Sequence, residues 1–443
     1  MRAYIRPFLL LPCLAQIVLA SLGLAASPWP EWRGPSAQGT SQATQLPQTW
    51  SETSSVVWRC PLPGRGHSTP VIDGTRLWVT TAHETPASEA EARERLKSNT
   101  GDQPVSVMRS IRIHALGIDL ATGQILRDVP LLQVEKPQWV HQLNSYASPS
   151  PTIHEGKLYT SHGSFGAACM DLQTGKVVWR NQELRVAHEN GPGSTGVMHA
   201  QRYIVHFDGS DQQFIAAYDA ATGQVAWRTQ RSGTMDPKPQ LKKAYGTPLI
   251  ASIGGRPTVI SPAANWVYGY DPLDGRELWK VPYGELGFSM SVRPVADDER
   301  FYLSTSYGKS QVIAFTHRGL DVPRVAWRQP RNAPKMSSPV LSQGLLFQVD
   351  DGGIASCLDT STGEALFRER LGGKFSASPM LADGRVYFAS REGLVTVIEA
   401  GRQFKILAQN QLESGIMASP IAVDGHLYLR TEKALYKLGK TSP

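Results

Sequence analysis

Cysteine is scarce in this 443-residue chain: there are four, and no two are adjacent. There is no Cys-x-x-Cys-His, which excludes covalently attached haem of that type. No glycine-rich phosphate loop, paired-carboxylate motif or Ser/His/Asp order stands out. No run of lysine and arginine accompanies the formal charge of +7, so nucleic acid is not an expected partner. Beyond the N-terminus no apolar run is long enough to cross a membrane, and none is expected in the mature chain. What remains is a chain with 40 glycines, 31 prolines and 11 tryptophans, and these are spaced periodically.

The stretch Asp171-Leu172-Gln173-Thr174-Gly175 is repeated as Asp119 to Gly123, Asp219 to Gly223, Asp271 to Gly275 and Asp359 to Gly363. An Asp that bonds its own backbone and a Gly of positive φ make a tight turn. Four residues beyond the glycine comes Trp179, Trp227, Trp279 or Phe367 on the returning strand. The Asp positions are 52, 48, 52 and 88 residues apart, and 88 is two periods of 44. Worn copies fall at Ala314 to Gly319 and Val397 to Gly401. A period of this length with several short strands per unit is the signature of a propeller.

Each unit opens with Ser/Thr-Pro or a variant of it, at Thr69, Ser150, Thr195, Thr247, Arg293, Ser338, Ser378 and Ser419. Eight openings predict an all-β fold, an eight-bladed β-propeller of four-stranded antiparallel blades. The eighth unit ends before a fourth strand, while Val56-Val57-Trp58-Arg59 precedes the first opening. The Trp58 strand is therefore expected to complete blade 8 and close the ring. Residues 1–26 read as a signal peptide: Arg2 and Arg6, an apolar run from Phe8 to Leu24, then small residues. A retained anchor is the weaker reading, since the run is short for a span, and Cys13 lacks a lipobox. Losing this segment lowers the formal charge to +5. Residues 27–55 read as an extended arm lying on the surface, and 56–443 as one propeller. Cys60, Cys169 and Cys357 are expected to be buried and unpaired. The insertion from Glu84 to Arg109 predicts a short exposed helix capped by Ser88.

The repeat resembles that of the pyrroloquinoline-quinone-type (PQQ-like) β-propellers, over essentially all of the chain from Trp58 to Gly439. The Trp29-Pro30-Glu31-Trp32-Arg33-Gly34-Pro35 arm looks like those on secreted propellers of this family from planctomycete-like bacteria. The resemblance implies one of two branches. Quinoprotein dehydrogenases grip the quinone between a Trp and a vicinal disulfide, beside Ca²⁺ and a catalytic Asp; this chain lacks the adjacent cysteines. The other branch is non-catalytic, such as the propeller lipoprotein of outer-membrane barrel assembly.

Topology puts the short turns on one face of the disc and the irregular loops on the other. Binding residues concentrate on loops set by a rigid scaffold, so the loop face supplies the candidates: Arg65, His67, Asn144, Tyr146, His162, His188, Glu189, His206, Asp208, Asp211, Lys243 and Tyr245. Their spacing names no metal site, and no catalytic residue is assigned. The sequence reading is an exported monomer, periplasmic or secreted, that binds a protein or polysaccharide partner without a cofactor. The alternative is a PQQ-dependent dehydrogenase of alcohols or sugars, with His188, Glu189, Asp208 or Asp211 near the quinone and Ca²⁺.

Overall fold

The computed structural model describes residues 26–319 and 321–440; the expected signal peptide lies, apart from its last residue, outside them. Among the described residues the main strands form eight four-stranded antiparallel sheets. Blades 1 to 7 occupy residues 71–135, 152–181, 197–230, 249–282, 295–329, 340–370 and 380–411. Blade 8 is built from residues 421–438 and, as its outermost strand, Val56–Pro61. That strand pairs antiparallel with Ala434–Leu438, Trp58 lying opposite Lys437. The ring is closed as the repeat count requires.

The repeat motif is the joint between blades. The indole N–H of Trp179 donates to the carbonyl of Ala220, in the Asp-x-x-Thr-Gly turn of the next blade, at 2.9 Å. Trp58 does the same to Leu120 at 3.1 Å, Trp227 to Pro272 at 3.3 Å and Trp327 to Thr360 at 2.9 Å. Each indole lies flat on the turn glycine. A Cβ on Gly223 would sit 2.4 Å from the Trp179 ring, and φ there is +73°. Glycine is thus required twice, for space and for a left-handed backbone. Where the next turn is worn, the indole bond is missing. Trp279 faces the degraded turn of blade 5 and its buried N–H has no partner. Phe367 faces the equally worn turn of blade 7, where Phe404 meets its ring at 5.3 Å.

The Ser/Thr-Pro openings form a second, inner lock. The backbone N–H of Thr69 donates to the Ser150 hydroxyl, Ser150 to Thr195, and Thr195 to Thr247. After a break at Arg293, the chain of bonds runs through Ser338, Ser378 and Ser419 back to Thr69. Seven of eight blade junctions carry this bond.

The arm is extended and lies across the turn face, most of it at least partly exposed, with a few side chains sunk into the ring. Trp29 and Arg33 are each only 2% exposed. The arm crosses the propeller axis at the turn face, bonding Ile72 of blade 1, Ile153 of blade 2 and Leu381 of blade 7. Arg33 reaches the carbonyls of Pro339 and Pro379, the latter at 2.7 Å. Arg293, lacking a hydroxyl for the inner ring, instead holds the Trp32 carbonyl and Glu31. The arm is held by bonds from two buried guanidinium groups to backbone carbonyls, which offset the cost of burying those charges.

Other expectations hold. Cys60, Cys169 and Cys357 are buried free thiols. The insertion contains the helix Glu89–Leu96, with no buried residue and with Ser88 accepting from the Glu91 N–H. Among the described residues no helix is long and apolar enough to cross a membrane.

Candidate functional site

Strand direction segregates the connections. In blade after blade the first turn and the Asp turn are bonded together, as Leu120 N–H to Thr75 O and Leu172 N–H to Gly156 O show. The loops after the second strand and between blades therefore share the opposite face. On blades 1 to 4 that face is built up into a wall. The insertion of blade 1 returns through Val105–Ser106, which pairs with Val140–His141 in the loop before blade 2. Arg95 of the helix donates to the carbonyls of Met108, at 2.8 Å, and Pro137. Thr100 receives Gln240 from the loop before blade 4 at 2.6 Å.

Within this wall the structure brings several candidates together. Asn144 donates to the carbonyls of Asn190 and Pro192, and Gln103 donates to the Asn190 side chain at 2.8 Å. The Tyr245 hydroxyl donates to the His188 carbonyl at 2.6 Å. His188 is buried; its Nε2 accepts from the Ser164 N–H at 3.0 Å and its own N–H donates to Gln138. Glu189, beside it at φ +65°, accepts from the Ser210 hydroxyl at 2.8 Å, while its second oxygen is buried without a partner. Lys243, also buried, donates to Gln240. Burial pushes its ammonium down to about 8, with Glu189 pulling the other way. Tyr146 and His162 support the floor: the tyrosine hydroxyl donates to Gln138 O, and His162 Nδ1 lies 3.0 Å from Tyr146 O. Burial pushes both His162 and His188 down to about 4, so both are neutral at pH 7.

Three further groups of candidates border this cluster. His206 and Asp208 belong to a buried network between blades 3 and 4. Arg231 grips Asp208 with two bonds, 2.9 and 2.7 Å, and also donates to Ser261, whose hydroxyl meets His206 Nε2 at 2.7 Å. Both charged side chains are 0% exposed. Burial raises the Asp208 carboxyl above its usual range in spite of Arg231. Asp211 is exposed and caps the Ala187 N–H at 2.7 Å. Arg65 and His67 sit near blade 8, Arg65 donating to the Gln142 carbonyl. Burial, with Arg430 and Arg65 nearby, pushes His67 down to about 3.

Sequence reading named neither Arg231, Ser261 and Gln138 nor Asn190 as site residues, because none belongs to the Asp-x-x-Thr-Gly repeat or to the blade openings. Two cavities lie on the other, short-turn face. One, of about 310 Å³, lies between the arm and blades 2 to 5, lined by Glu31, Ala37, His154, Met198 and Arg293. The other, of about 720 Å³, lies between blades 4 and 5 and includes Ser252, Asp297 and His317.

A family model described as outer membrane protein assembly factor BamB matches residues 71–229 and 309–404. The chain is 20% identical over 270 residues to tetrathionate hydrolase of Acidithiobacillus ferrooxidans, covering 57% of this chain and 51% of that protein. It is 21% identical over 277 residues to BamB of Yersinia pestis, covering 58% and 65%. The chain thus spans between half and two thirds of these curated relatives. Among solved structures, a europium-containing methanol dehydrogenase superposes with a TM-score of 0.63 at 13% identity, over 92% of this chain and 90% of the other. BamB from Moraxella catarrhalis gives 0.53 at 12% identity, over 87% and 95%. At these identities the superpositions speak for the fold alone.

Proposed function

The chain belongs to the PQQ-like repeat β-propeller family, and from that premise we propose that it is an exported, non-catalytic binding propeller that docks a protein partner on the wall of blades 1 to 4. The observation that carries this reading is the cross-bonding of the wall. Residues Thr100, Gln103, Asn144, Asn190, Gln240 and Tyr245, from four separate loops, bond one another rather than facing an open pocket. A surface ordered in advance loses little conformational entropy on docking. It also presents Leu143, 49% exposed, at its crest. The description of the matching family as an assembly factor for outer membrane proteins favours a protein over a polysaccharide as the ligand.

Against a quinone with Ca²⁺ stands the engagement of the residues named for it, Asp208 above all. Asp208 is fully engaged by Arg231 and wholly buried. One oxygen of Asp211 accepts two backbone N–H groups and one oxygen of Glu189 accepts from Ser210, so each has only its second oxygen left for an ion. Freeing Asp208 would leave a buried arginine without its counter-charge, at a cost of about 3–5 kcal/mol. Purified protein titrated with PQQ and Ca²⁺ is expected to show neither a bound quinone spectrum nor dye reduction with alcohols or sugars. Stoichiometric PQQ with turnover would overturn the reading.

A further inference from the structure

Blade 1 carries a cluster of polar side chains remote from the wall's interior. His83 stands on the second strand, Arg76–Pro86, His114 on the third, Met108–Asp119, and Asp128 on the fourth, Ile125–Glu135. Thr81 faces His114 and His83 faces Arg112, so the two histidines are diagonal neighbours on one face of the sheet. Leu116 faces Asp128, which continues the diagonal onto the outermost strand. A bulge between Ile113 and His114 locally increases the twist there. The two imidazoles lie edge to face with centroids 4.6 Å apart. His114 Nδ1 is 2.6 Å from an Asp128 oxygen, and one donor atom from each of the three residues lies within 4.8 Å of the other two. The other nitrogen of His114, Nε2, is buried with no partner. The Asp128 side chain is 47% exposed and leaves the cluster open to solvent.

The geometry points to a site for a divalent transition metal, Zn²⁺ in the first instance, held by His83, His114 and Asp128. Two imidazoles and one carboxylate suit zinc and its neighbours, whereas Ca²⁺ and Mg²⁺ take oxygen ligands. The three residues come from three hydrogen-bonded strands, so the sheet fixes their spacing before any ion arrives. Remaining coordination positions face water on the Asp128 side. A bound ion would tie the three outer strands of blade 1 at the base of the insertion, and would stabilise the fold by mass action.

The test uses tag-free full-length protein, stripped with chelator and dialysed against Zn²⁺, with metal per chain measured by atomic emission. Wild type is expected to hold one zinc and to melt at a higher temperature with zinc than without. His83→Gln and His114→Gln are expected to lose it, whereas His154→Gln on blade 2 retains it. Asp128→Asn, at a half-exposed position that tolerates the change, is expected to weaken binding at least about tenfold. Co²⁺ in place of zinc should give ligand-field absorption bands in wild type that Asp128→Asn alters. Wild type without stoichiometric zinc, or unchanged affinity and cobalt spectrum in Asp128→Asn, would overturn the proposal.

Discussion

Two chemically identical substitutions at the blade joints should have unequal effects. Trp179→Phe and Trp58→Phe each remove an indole N–H and part of a ring at positions 7% and 8% exposed. The apolar loss is common to both and is about 1 kcal/mol. The bond lost is the difference. The Ala220 carbonyl has Trp179 as its side-chain donor, and Ala220 is 0% exposed. Its oxygen is left unsatisfied by Trp179→Phe, at about 1–3 kcal/mol. The Leu120 carbonyl keeps a second donor, Lys437 Nζ at 3.0 Å, so Trp58→Phe forfeits only the net value of one bond, about 0.5–1.5 kcal/mol. Trp179→Phe should therefore be the more destabilising by about 1 kcal/mol. Urea unfolding followed by fluorescence and circular dichroism measures this, provided the denaturant slope is unchanged. An equal or greater loss at Trp58 would mean that closure of the ring, rather than the orphaned carbonyl, sets the cost, and the reasoning would fail.

Gly39→Ala places a Cβ 2.3 Å from the Arg33 guanidinium at φ +77° and should cost roughly 2–3 kcal/mol by strain and displaced bonds. Gly156→Ala, at φ +71° with nothing within 4 Å, should cost only about 1 kcal/mol; equal melting temperatures would contradict the arm's role as a plug. The histidines His162 and His188, held at about 4 against about 6.5 when unfolded, bind fewer protons folded than unfolded between those values. Stability should thus be full above pH 6.5 and fall as pH drops towards 4; a melting temperature flat from pH 7 to 4.5 would refute this. Burial pushes Cys169 and Cys357 up to about 12, so Ellman's reagent should reach neither thiol until urea unfolds the chain. Rapid labelling of native protein would contradict their burial.

The fold was legible because every blade states it again. Asp, Gly and Trp are tied together at four joints by one bond and one contact, and the bond is missing at Trp279 and Phe367, where the next turn is worn. The role of the arm was not legible: Arg33 acts through carbonyls of Pro339 and Pro379, more than three hundred residues away. The same holds for the loop face. Sequence reading placed His188, Glu189 and Tyr245 on the loop face of the disc, but it could not separate a ligand-facing side chain from one that holds a neighbouring loop. His206 and Asp208 are of the second kind, because Arg231 and Ser261 meet them from other blades. His83, His114 and Asp128 likewise meet only through strand register.

The docking face is tested most directly by a photo-crosslinking residue placed at exposed positions on the two faces. Leu143 stands on the wall and Leu273, 55% exposed, on the short-turn face. Irradiation of the tagged protein in its native envelope fraction should give a discrete protein adduct from position 143 and none from position 273. Adducts from position 273 alone, or equal adducts from both, would contradict the assignment of the loop face as the binding surface.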